Sequence, residues 1–590
     1  MTDSSEPELR LRAIRAAQGK APFDLLITNG MLVDVATSEL RQADVGIVGN
    51  LIASVHARGA RRDSAEHCDA SGCWIAPGFI DAHVHFESSH MTPTNYASVV
   101  VPQGTTTIFC DPHELGNALG LAGVRWAIEA SRGLPLRFIA AAPSCVPSAP
   151  GLETSGAEFG GDEMREMLSW PEVAGVAEMM DMNGVLGESR RAMEVLAAGR
   201  ESGKLIEGHA RGLSGERLQA YAAAGVSSDH EIMSAEDGIE KLRAGLFVEL
   251  RGSHDYVLPP FVEALKRLPQ IPSTLAICTD DVPPDQLVER GGMCDVLRRL
   301  VRYGLDPVQA IRCATLNAAT RLRRGDLGLI AAGRIADIVV LSDLREVTAN
   351  SVVVSGRVVA RGGRMLAAPA PAKAPALPQG PLPLGPYTDD DFRVAVPGAR
   401  SGRARIVAIK GARFTSISQV EVEITHGFAV VPSGFSVIFV QHRHGRHEQG
   451  PQRALLEDWG ELRGAVATTY SHDSHNLVVL GRDPRDMRIA AEALIASGGG
   501  MAVAKEGKMI AKVDLPLAGM LSEAPPQELA RAFARVREAA GEVIEWQPPY
   551  RVFKAIEGTA LACNPGPHLT DLGIADGTSH QMLRATAAEA

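Results

Sequence analysis

The chain has 590 residues, 45% of them hydrophobic and 22% charged, with mean hydropathy near zero, a composition that permits a large buried core over several domains. A formal charge of −11 argues against sequence-independent nucleic-acid binding, and no 18-residue apolar run offers a membrane span. The start, MTDSSEPELRLRAIRAAQG, lacks the apolar core of a secretory leader, and the eight cysteines form no C-x-x-C pair, so a cytoplasmic enzyme with reduced thiols is expected.

Residues 1–21 read as a polar N-terminal segment. Residues 22–76 alternate apolar and polar groups between the hairpin-type dipeptides Asn29-Gly30 and Gly49-Asn50, the pattern of a small β unit. Residues 326–365 repeat this pattern in GRIADIVVLSDL and SVVVSGRVVARGG, so the two segments are expected to complete one β-sandwich around an inserted domain. Between them, over 77–325, eight β-rich runs recur, from WIAPGFIDAHVHF to STLAICTDD, separated by helix-like stretches such as SRRAMEVLAAGRESG. Strand then helix, eight times, predicts a (β/α)8 barrel of the α/β class, with its chemistry at the C-terminal strand ends. Residues 366–394 form a proline-rich linker, and 395–590 mix strands and helices in a C-terminal α+β domain.

The stretch GFIDAHVHFESSH ends a buried strand with His83 and His85, two apart and therefore on one face. Other predicted strands end in Asp111, His113 and Glu114; Glu178; His209; His230 and Glu231; and Asp280 with Asp281. Any one such histidine is more often a hydrogen-bonded core residue. Their joint placement at strand ends is what makes a metal site. Imidazole and carboxylate donors without thiolates suit zinc, manganese or iron, and four histidines with two carboxylates can hold two ions.

The stretches DAHVHFESSHMTP, GTTTIFCDPHELGNALG, AEMMDMNGV, GHARGL, ICTDD, ATTYSHDSHNLVVLG and SGGGMAVAKEGK resemble the bacterial adenine deaminase family of the amidohydrolase superfamily. This resemblance spans nearly the full chain. It implies a (β/α)8 barrel with a sandwich built from flanking segments, and two divalent ions, manganese or iron with zinc as a further option. It implies hydrolysis of adenine to hypoxanthine and ammonia in purine salvage, a metal-activated hydroxide attacking C6. By resemblance, His83, His85 and Asp280 take one ion, His209 and His230 the other, and Glu178 both. The run VAGVAEMMD ends without the lysine that bridges metals in several superfamily members.

Asp280 is the first candidate for moving a proton to the leaving group; Glu231, Glu87 and His113 are further acid–base candidates. Glu114, Asp281, His472, Asp473, His475 and Asn476 are candidates for purine contact, the last four set against the plainer reading of YSHDSHN as a hydrogen-bonded turn. QHRHGRHEQG, 441–450, is expected to be a solvated basic loop, and His90 receives no role. The resemblance also implies a homodimer or larger assembly. Two other functions stay open: an amidohydrolase acting on a cyclic or N-acyl amide, and a metal-less binding or scaffold homologue. A zinc deaminase is excluded, because no P-C-x-x-C motif occurs.

Overall fold

The β-branched and aliphatic run TTTIFC, residues 105–110, is buried along its whole length, as a strand covered on both faces must be. It is one of five parallel strands: β1 (Phe79–Val84), β2 (Thr105–Cys110), β3 (Arg137–Ala142), β4 (Val173–Met179) and β5 (Leu205–Gly208), in the order β5-β4-β3-β2-β1. Three more, β6 (Ser228–Asp229), β7 (Phe247–Arg251) and β8 (Leu275–Cys278), form a second parallel sheet in chain order. The sheets curl towards one another. Beside β5, Ser227 N–H donates to Ile206 O (3.0 Å), and Val84 at the end of β1 forms a parallel bridge with Asp280 just beyond β8. This computed structural model describes residues 7–412, 415–460, 462–545 and 552–583.

A helix follows each strand, and local chemistry sets its ends. The helix Arg190–Ser202 after β4 starts where Ser189 Oγ accepts from Ala192 N–H (3.3 Å), and it stops at Gly203, whose φ of 66° suits glycine. Its buried residues Ala192, Val195, Leu196 and Gly199 recur at helical spacing and face the strands.

The run WIAPGFIDAHVHF, read from sequence as one strand, is two. Trp74–Pro77 belongs to a flanking seven-stranded sheet, whereas Phe79–Val84 is β1. A Cβ on Gly78 would lie 2.3 Å from Thr106 Oγ1, so the passage between the sheets demands glycine. The seven-stranded sheet joins both flanking segments: Trp74–Pro77 pairs with Ile338–Asp343 on one side and Met31–Asp34 on the other. It shares a core with a four-stranded sheet, Leu25 and Ile47 of the latter clustering with Ile75, Ile338 and Val353. The N-terminal segment is less featureless than its polarity suggests. Pro7–Ala17 is a helix whose Leu9 and Ala16 pack against Phe23, Leu26 and Val48.

Beyond the proline-rich stretch, nine strands form one sheet with the helix Pro484–Ser497 on one face. Phe392 is fully buried in that core against Phe439, so packing begins just before residue 395. The other face shares a core cluster with Met91 and Tyr96 of the parallel-strand region and with Phe533 of the helix Pro526–Val543. Among the described residues, no helix is long and apolar enough to cross a membrane.

Candidate active site

The C-terminal strand ends surround a cavity of about 560 Å³, enough for a small heterocycle with room around it. His83 is the penultimate residue of β1 and His85 lies just past it; Glu178 is the penultimate residue of β4; His209 and His230 follow β5 and β6. Asp280 sits two residues past β8 in a left-handed conformation, φ 59°, with its N–H donating to His83 O (3.1 Å). Such backbone states gather at functional sites, and here the hydrogen bond to β1 holds it.

The ring nitrogens test whether these residues fit a cation. Nδ1 of His85 faces the carbonyl of Asp111 (2.9 Å), which can only accept, so Nδ1 carries a hydrogen and Nε2 is the ring nitrogen turned towards the other donors. Nδ1 of His83 faces the Glu207 carboxyl group (3.3 Å), which Arg321 accompanies at 3.5 Å, and its Nε2 turns towards the same place as that of His85. The two Nε2 atoms stand 3.0 Å apart, with Glu178 Oε1 and Asp280 Oδ1 each within 3.7 Å of both. Two imidazole nitrogens and two carboxylate oxygens converging in one buried place make a nitrogen–oxygen donor set of the kind a divalent cation takes. The set fits a divalent metal. On the other side of Glu178, its Oε2 meets His209 Nδ1 (2.5 Å) and His230 Nε2 (3.2 Å). Burial alone would raise the Glu178 carboxyl, but His230 and His209 outweigh it and hold the group well below the usual carboxylate range.

The remaining sequence-predicted residues divide. His113, Glu231, Asp281, His472 and Asp473 line the cavity. His113 Nδ1 lies 2.9 Å from Asp111 Oδ2 and 3.6 Å from Glu178 Oε1. Glu87 is not on the cavity wall. It is fully buried in the short turn Phe86–Ser89, and burial together with nearby Glu114 pushes its carboxyl up to about 8. Glu114 also lies behind the wall, contacting His475 Nε2 and, at 3.0 Å each, His472 Nδ1 and Tyr470 Oη. His475 faces Glu114, not the cavity, and Asn476 is a structural tie, its Nδ2 donating to Thr154 O (3.1 Å) and its Oδ1 facing His442 Nδ1 (3.1 Å).

Three features differ from the sequence reading. QHRHGRHEQG begins not as a solvated loop but inside the protein: His442 and Arg443 are buried, and Arg443 donates to His475 O and Ala518 O. His90, left without a role, ties the regions together, its Nδ1 donating to Met520 O (3.1 Å) while its ring meets Tyr470 and Phe533. Arg251 carries no assigned role in the sequence reading. It ends β7 on the cavity wall, buried, contacting Glu231 Oε1 and Asp280 Oδ2, with Asp281 Oδ2 at 3.5 Å. Its sequence signal is its place at the end of the run GLFVELRG, where other strands carry their acids and histidines.

Comparison with known proteins gives consistent findings. Residues 74–359 match the amidohydrolase family, and residues 412–581 match the adenine deaminase C-terminal domain. The chain is 59% identical to an adenine deaminase of Klebsiella pneumoniae over 98% of this chain and 96% of that one. It is 55% identical to adenine deaminase 2 of Rhizobium meliloti over 100% and 98%, and 36% identical to an adenine deaminase of Moorella thermoacetica over 98% of each.

Proposed function

From the premise that the chain belongs to the adenine deaminase family of amidohydrolases, we infer that it is a hydrolase converting adenine and water to hypoxanthine and ammonia. The observation that carries the reading is the convergence of the Nε2 atoms of His83 and His85, 3.0 Å apart and flanked by Glu178 and Asp280. The identity of the relatives does not favour a cyclic-amide hydrolase or a metal-less scaffold. We read the two curled sheets as one closed (β/α)8 barrel, flanked by a sandwich from residues 22–76 and 326–365 and followed by a separate C-terminal unit.

Divalent metal use is expected of the family. Two ions, manganese or iron, are our reading: His83, His85 and Asp280 for one, His209 and His230 for the other, Glu178 for both. Bound there, such cations make water acidic enough to act as a nucleophile near neutral pH. The rest falls to the chain. Asp280, whose Oδ2 meets Arg251, takes a proton from the attacking water and passes it towards the departing amino group. Arg251 also meets Glu231, and so aims both carboxylates into the cavity. Glu231 and His113 on the wall are the groups we assign to hold the purine ring and protonate its nitrogen, with Asp281 and Asp473 beside them.

The test is to purify the protein with manganese supplied and iron limited, then measure metal content and ammonia release on adenine, adenosine, guanine, cytosine and dihydroorotate. Release from adenine with bound metal is expected. Activity on another of these compounds with none on adenine would overturn the substrate, and full activity in the metal-free protein would overturn the mechanism.

A further inference from the structure

Behind the cavity wall, a chain of polar groups runs from the strand-end side to the C-terminal segment. Ser88 Oγ lies 2.6 Å from Asp281 Oδ1 and 2.9 Å from Tyr470 Oη; Tyr470 Oη lies 3.0 Å from Glu114 Oε1; Glu114 Oε1 lies 3.0 Å from His472 Nδ1. Ser88 and His472 face the cavity, whereas Tyr470 and Glu114 are buried behind it.

The hydrogens can be counted. Three oxygen-to-oxygen contacts share the two hydroxyl hydrogens of Ser88 and Tyr470, because a carboxylate donates none. One contact is therefore always a hydrogen short, and the neighbouring hydrogen is the one on His472 Nδ1. Burial would leave that imidazole neutral, but Glu114 and Asp473, the latter 3.5 Å away, hold it charged well above its ordinary range. A row of hydroxyls one hydrogen short, ending on a charged imidazole, lets each member pass its proton forward and take one from behind.

We propose that His472, Glu114, Tyr470 and Ser88 form a proton relay that delivers a proton held in the C-terminal segment to the reacting purine through the Ser88 hydroxyl. This rests on adenine deamination as the activity. Hydrolysis forms a C6–O bond and breaks the C6–N bond, and the two water protons finish on the ring nitrogen and the departing ammonia. In the relay, Ser88 gives its proton to the amino nitrogen as it leaves. Tyr470 replaces it, Glu114 passes the His472 proton to Tyr470, and His472 is recharged through the cavity with the proton that Asp280 took from the water, so the relay carries the last part of that proton's path to the amino group. No proton is gained or lost over a turnover. In the resting enzyme Asp281 keeps the Ser88 hydroxyl aligned.

Tyr470→Phe and Ser88→Ala each cut the relay at one link. Each should lower kcat roughly 10- to 100-fold with KM and metal content little changed, and the double variant should be no slower than the slower single one. Effects that multiply, or a kcat within about twofold of wild type for Tyr470→Phe, would show that the hydroxyls act separately or as packing, and would overturn the relay. A second readout needs no substrate. In protein carrying 13Cζ-tyrosine, the Tyr470 signal, assigned through Tyr470→Phe, should shift in Ser88→Ala; an unmoved signal refutes the shared hydrogen bond. A wild type that releases no ammonia from adenine sinks the proposed function, while the Tyr470 signal still decides the chain.

Discussion

The two walls of the cavity are held by different means. On the strand-end wall, His83, Glu178, His209, His230 and Asp280 are each placed by a parallel strand or by the residue or two beyond it, so the sheet backbone fixes the geometry. On the other wall, His472 and Asp473 sit in a segment that is pinned to the parallel-strand region by side chains: Tyr470 to Ser88, 382 residues away, and Met520 to His90, 430 away. On the proposed reading the first wall holds the metal and should fail all at once. The second is built from tertiary hydrogen bonds and should fail in graded steps.

Substitutions can test that contrast. Glu178→Gln should abolish activity and bound divalent metal together; normal metal content and turnover would remove it from the bridging position. Asp280→Asn should lower kcat by about 10²- to 10⁴-fold, measured as ammonia release from adenine, because both its metal contact and its proton-carrying role are weakened. Glu207→Gln, which leaves every ligand in place but weakens the hold on His83 Nδ1, should reduce metal affinity by roughly 10- to 100-fold in chelator competition. An affinity within about twofold of wild type would deny it that positioning role.

The C-terminal wall predicts smaller changes. His90→Ala should cost about 1–3 kcal/mol in denaturant unfolding through the loss of a buried hydrogen bond, with metal content unchanged. A further effect concerns pH. Burial and the neighbouring Asp473 raise the Glu153 carboxyl to about 8, so the folded state keeps a proton that the unfolded chain releases near its ordinary value. Its contribution is fully present below that ordinary value and is lost as pH rises towards 8, at no more than about 1.4 kcal/mol per pH unit. Glu153→Gln should flatten this decline between pH 5 and 8, on the order of that slope. A variant that tracks wild type across the range would contradict the assignment.

The same contrast explains what the sequence revealed. The period-two spacing of His83 and His85, and the recurrence of acids and histidines at strand ends, are local signals that survive without coordinates. The division of WIAPGFIDAHVHF at Gly78 is not visible locally, because the reason for it is Thr106 on the neighbouring strand. Glu87 looked reactive beside its histidines, yet a turn directs it into the core. The pairing of Glu114 with Tyr470 and His472, and the burial of His442 and Arg443, depend on contacts across hundreds of residues, which no spacing encodes. Arg251 is legible from its strand-end position, but a cation among acids and histidines does not fit a ligand pattern.

The most direct test of the central claim is anomalous diffraction from crystals grown with manganese, measured at the manganese absorption edge. Two peaks are predicted, one among His83, His85, Glu178 and Asp280 and a second among Glu178, His209 and His230. No peak at these strand ends, or manganese bound only elsewhere, would contradict it.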